Sequence, residues 1–118
     1  MELERFYEIL NQLADELPEE LCEGLSGGII LKEECKESPH AKQHDLFIRG
    51  EYIRSNLGCQ IVIYYGSFMH LHGYMEEENL IKEMRKVLRH ELRHHVEYRS
   101  GWRDLEEEDK QFLEKYLK

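Results

Sequence analysis

The sequence predicts an α+β domain: an N-terminal helix, a small mixed sheet of about three to four strands, a long helix packed on that sheet, and a short C-terminal helix. Three observations carry this. Apolar residues in the first 17 positions recur at helical spacing. The middle of the chain carries short β-branched and aromatic runs bounded by glycines. From Met75 onward the apolar period returns to 3.6. At 118 residues, positions 1–118 form one domain of ordinary size.

In order along the chain, Leu3, Phe6, Tyr7, Leu10, Leu13, Ala14 and Leu17 form one face of the first helix, and Pro18 ends it. Gly24 to Gly28 reads as a turn and Ile29-Ile30-Leu31 as a strand. The polar stretch 33–45 reads as a loop. Leu46-Phe47-Ile48 and Tyr52-Ile53 read as a strand interrupted at Gly50. Cys59 to Tyr65, between Gly58 and Gly66, is the strongest strand signal in the chain. Leu80, Ile81, Met84, Val87, Leu88, Leu92 and Val96 then make one helical stripe, preceded by Glu76, Glu77 and Glu78, where a helix N-terminus favours negative charge. After a loop near Ser100-Gly101, Asp104 with Glu107 three residues on resembles a capping box opening the last helix.

Sixteen basic against 25 acidic residues leave a net charge of −9, so the surface repels phosphate backbones and anionic membranes; no nucleic-acid or membrane partner is expected. No apolar run approaches the 18 or so residues a membrane helix requires. The start, Met1-Glu2-Leu3-Glu4-Arg5, has no secretory signature, and three widely spaced cysteines fit reduced thiols, so a cytoplasmic location is expected.

His90-Glu91-Leu92-Arg93-His94 matches H-E-x-x-H. Helical residues four apart lie about 40° apart around the axis, so both imidazoles project from one face and can share a metal. Glu91 lies about 60–100° away on the same wheel, placed to take a proton from water rather than to complete the ligand set. With seven histidines and 21 glutamates, about 7% of shuffled chains would contain the string, so its context matters: it falls inside the long amphipathic helix, with Glu91 in the apolar stripe. A third ligand is expected downstream, with Asp104 first, then Glu108 and Glu107. One Zn²⁺ per chain is the expected cofactor, held by His90, His94 and Asp104.

With these residues the sequence resembles the small bacterial zincin-like metallopeptidases, the minimal zincins. The likeness covers most of the chain: an N-terminal helix ending in Leu17-Pro18, a small sheet, a Tyr-rich strand, and an HExxH helix near the C-terminus. Members commonly carry H-E-x-x-H-x-x-G-x-x-D. Here Gly101-Trp102-Arg103-Asp104 matches the G-x-x-D half four residues later than the compact spacing, as though His95 to Tyr98 extended the helix by one turn. The resemblance implies a zincin fold, zinc dependence and peptidase activity on a peptide or unfolded protein.

Three functions stay open on the residues themselves. One is a zinc metallopeptidase with Glu91 as general base. The second is a zinc-binding module on a zincin scaffold that has a binding or regulatory role and no turnover. The third is a metal-free α+β interaction domain. Edge pairing of an extended peptide falls to Gln60–Tyr65, with Tyr64 and Tyr65 alternatively packing the sheet on the helix. Tyr98 and His95 are equal candidates for stabilising a transition state. His70 and His72 would make a metal clip if extended, and His40 and His44 lie in the polar loop; both pairs read as solvated or structural. The oligomeric state is left open.

Overall fold

The computed structural model describes residues 1–39 and 46–100. Helix α1 (Leu3–Asp15) buries Phe6, Ile9, Leu10 and Leu13 on one face. It ends two residues earlier than the apolar spacing suggests, and Pro18 opens a further single turn, α2 (Glu19–Cys22), which buries Leu21. Five strands follow: β1 (Gly28–Lys32), β2 (Lys36–Glu37), β3 (Phe47–Ile48), β4 (Gly50–Ser55) and β5 (Gly58–Tyr64). Helix α3 (Tyr65–His72) leaves β5 directly, and α4 (Glu77–Ser100) is the long helix.

The main sheet is mixed, in the order β1-β5-β4, with β1 parallel and β4 antiparallel to β5. β2 and β3 form a separate two-stranded antiparallel ribbon. Being central explains the composition of β5: Ile61, Val62, Ile63 and Tyr64 are all buried, which gives a continuous apolar run instead of an alternating one. It also overturns the assignment of peptide pairing to Gln60–Tyr65. Both edges of that strand are taken, by β1 and β4, and its hydrogen-bonding groups face neighbours. Asn56-Leu57 joins β4 to β5 as a tight turn, and Gly58 has φ +118°, where a Cβ would also collide with the Ser26 hydroxyl.

The core lies between the sheet and the helices. Leu80, Met84, Val87, Leu88, Leu92 and Val96 of α4 meet Ile61 and Ile63 of β5, with Phe6 of α1 and Phe68 of α3. The α+β class, the N-terminal helix, the small mixed sheet and the long packed helix therefore stand as expected. The last helix expected after Ser100 lies outside the described residues. Among the described residues no helix is long and apolar enough to cross a membrane.

Candidate metal centre

Because Leu88 and Leu92 pin α4 to the core, the intervening turn has a fixed rotation. His90 and His94 consequently stand exposed on one face, while Glu91 is only 7% exposed. The two imidazoles meet edge to face, with ring planes at 89° and Nε2 atoms 3.1 Å apart. Two nitrogens held by one tetrahedral zinc at ordinary Zn–N lengths are about 3.3 Å apart, so this spacing suits a shared ion. One donor atom each from His90, Glu91 and His94 lies within 4.8 Å of the other two. Neutral nitrogens beside a carboxylate are a donor set suited to Zn²⁺. Burial pushes the Glu91 carboxyl above its ordinary value; His94 opposes the shift and Glu51 adds to it. Asp104, Glu107 and Glu108 lie outside the described residues, as do His40 and His44.

Glu91 and His94 border a groove of about 670 Å³ between α4 and β4, walled by Gly50, Tyr52, Arg54, Glu97 and Tyr98. A second lobe of about 370 Å³ continues past His90 toward Phe47, Arg49 and Lys86. The centre thus sits midway along a trough. Among the described residues, no strand pairs with the outer edge of β4, which runs beside it.

The geometry separates the two candidate stabilisers. His95 is 1% exposed, and both ring nitrogens are spent: Nε2 donates to the Glu23 carbonyl at 2.8 Å, and Nδ1 accepts from the Tyr52 hydroxyl at 2.7 Å. Burial holds its pKa below the ordinary histidine value, so the ring packs as a neutral core group. Burial and the adjacent Cys59 thiol likewise raise the Tyr52 phenol, which stays protonated. Tyr98 instead borders the groove and is half exposed.

The histidine pair at positions 70 and 72 does not form a clip. The segment is helical, which turns side chains two apart by about 200°. His70 packs at a tilt against Phe47, and His72 Nε2 accepts from the Arg49 guanidinium at 3.0 Å. Tyr64 donates to Glu51 at 2.6 Å, and Tyr65 packs edge-on against Phe6, so both tyrosines serve the fold. Arg54 and Tyr52 escaped sequence reasoning as groove residues. Their alternation along β4 was visible, but which strand forms the edge was not.

No family model and no curated protein matches this chain. A solved structure does: a conserved hypothetical protein from Thermus thermophilus, 32% identical, aligned over 85% of this chain and 98% of that one, with a TM-score of 0.74. The chain belongs to that protein's family. The shared fold extends over nearly the whole of the Thermus protein.

Proposed function

We propose that this protein is a zinc-dependent metallopeptidase of the minimal zincin type, acting on a peptide or an unfolded protein segment. The observation that carries the reading is the pair of exposed imidazole nitrogens 3.1 Å apart, with the buried carboxylate of the intervening turn beside them, in the floor of an open trough. His90 and His94 would hold one zinc ion per chain, with Asp104 the first candidate for a third protein ligand and Glu108 or Glu107 after it. Zinc, when bound, supplies Lewis acidity to the scissile carbonyl and lowers the pKa of a water it holds. Glu91 would act as the general base, taking a proton from the attacking water at a carboxylate oxygen and passing it to the leaving amine. The outer edge of β4 offers backbone groups to an extended substrate, in place of β5. Tyr98 is the better placed stabiliser of the developing charge. Three free thiols, at Cys22, Cys35 and Cys59, support a reducing, cytoplasmic compartment.

The test compares zinc-loaded wild type with Glu91→Gln on a broad peptide library. Each protein should hold one zinc by element-resolved analysis, and hydrolysis should fall about 10²–10⁴-fold in the variant, as for loss of a general base. Wild-type turnover in Glu91→Gln refutes the enzyme. If both proteins hold zinc and neither cleaves, the binding module without turnover replaces it.

A further inference from the structure

Four charged residues on the described walls of the trough matter here: Glu51, Arg54, Glu91 and Glu97, of which Glu91 is buried. Glu51 borders the trough but gives its carboxylate to Lys36 and to the Tyr64 hydroxyl. Glu97 pairs with Arg93 one helical turn back, at 3.4 Å. Arg54 has no such partner among the described residues. Its guanidinium lies 4.2 Å over the Tyr98 ring, which orients the planar group and leaves its N–H edge exposed. Strand alternation puts Arg54 on the same face of β4 as Tyr52, which bonds His95 of α4, so the side chain stands on the trough side. The oriented guanidinium, without an ion pair among the described residues, offers its N–H edge to an anion from outside.

We infer that Arg54, held by Tyr98, is a specificity-determining residue that binds a carboxylate of the substrate peptide. The inference rests on the peptidase reading for its substrate class. A planar guanidinium engages a carboxylate through two parallel N–H bonds, so lysine is not an equivalent replacement. The carboxylate can come from an acidic side chain or from the peptide's C-terminus. If Arg54 contributes the same binding energy in the ground state and the transition state, its loss raises KM and leaves kcat unchanged.

The experiment uses three fluorogenic peptide sets of one parent sequence. The first two are acetylated and amidated, with Glu or Gln at each position in turn around the scissile bond. The third carries Gln throughout and a free C-terminal carboxylate. Zinc-loaded wild type and Arg54→Gln, Arg54→Lys and Arg54→Glu are compared by kcat/KM. Binding of the same peptides to zinc-loaded Glu91→Gln protein, with and without Arg54→Gln, is read by fluorescence anisotropy. Wild type should favour one carboxylate-bearing peptide by about 10-fold, in the range of a charge-assisted hydrogen bond at an exposed site. The ratio should fall to about one in Arg54→Gln, stay intermediate in Arg54→Lys and invert in Arg54→Glu. Preference for the first set identifies a side-chain carboxylate, and preference for the third identifies the chain terminus. Cleavage without an acidic preference, or a preference surviving in Arg54→Gln, overturns the role of Arg54 while hydrolysis stands. An Arg54-dependent anisotropy preference with no cleavage by wild type upholds the anion site and refutes the peptidase. Absence of both binding and cleavage overturns the two together.

Discussion

Tyr52→Phe isolates a buried polar relay from the chemistry beside it. The phenylalanine keeps the ring against His95, with centroids 5.4 Å apart, and removes only the hydroxyl that Nδ1 accepts from. His95 is 1% exposed, so water has no easy access to the orphaned nitrogen. Tautomer exchange offers no escape, because moving the proton to Nδ1 strips the Glu23 carbonyl of its imidazole donor. A buried acceptor left unsatisfied costs about 1–3 kcal/mol. For a chain of this size, about 2 kcal/mol lowers Tm by ~6–12 °C. His95→Phe removes the acceptor instead, and Arg99 still donates to the Glu23 carbonyl at 2.8 Å. The double variant should then be less destabilised than the sum of the singles, with a coupling of about 1 kcal/mol or more in calorimetry of the metal-free protein. Zinc affinity should be unchanged in Tyr52→Phe, because the hydroxyl removed is bonded to His95, whose other ring nitrogen is bonded to the Glu23 carbonyl. Additive singles, or a Tm within about 1 °C of wild type, would refute the relay. A fall in hydrolysis with no fall in stability would return His95 to the catalytic candidates.

Zinc at about 100 times its Kd should raise stability by ~2.7 kcal/mol in wild type; Asp104→Ala should lose most of that gain and Glu108→Ala little, whereas a mere helix cap at Asp104 costs about 1 kcal/mol and leaves zinc affinity intact. Although burial alone would raise the Glu51 carboxyl, hydrogen bonds from Lys36 and Tyr64 hold it below its ordinary value. Its stabilisation is therefore complete above the unfolded pKa of about 4.3 and is lost as pH falls through the folded value, so Glu51→Gln should flatten the drop in urea midpoint below about pH 4.5 relative to wild type. Gly66→Ala would put a Cβ 2.6 Å from the Cys35 nitrogen and 2.7 Å from the Glu33 carbonyl oxygen, backbone atoms that cannot rotate away, and should cost about 1–3 kcal/mol in chemical denaturation.

The α4 stripe was legible because burial on one face enforces a 3.6 period over 24 residues. The β5 run was equally plain. Its place in the centre of the sheet was not, since a buried apolar strand reads the same wherever it lies in the strand order. Helix α3 escaped because its eight residues follow β5 without a break and its first turn has no side-chain cap. The extended reading of His70 and His72 fell with it. At the site, the positions of His90 and His94 follow from helical geometry alone. The trough does not, since it needs β4 beside α4, a pairing set by the β4–β5 hairpin and the parallel β1 contact.

One helix therefore does two jobs whose demands conflict at a single residue. Leu88 and Leu92, at 1% and 0% exposure, fix the rotation that brings two imidazole nitrogens within 3.1 Å. The same burial encloses Glu91, where an apolar side chain would stabilise the fold more than a carboxylate does. The proposed peptidase reading gives that buried carboxylate a role that packing does not. Arg54, in the same groove, stacks on Tyr98 without an ion pair among the described residues, while Glu51 and Glu97 are paired. In the proposed reading, Glu91 would take a proton from water and Arg54 would take a carboxylate of the substrate.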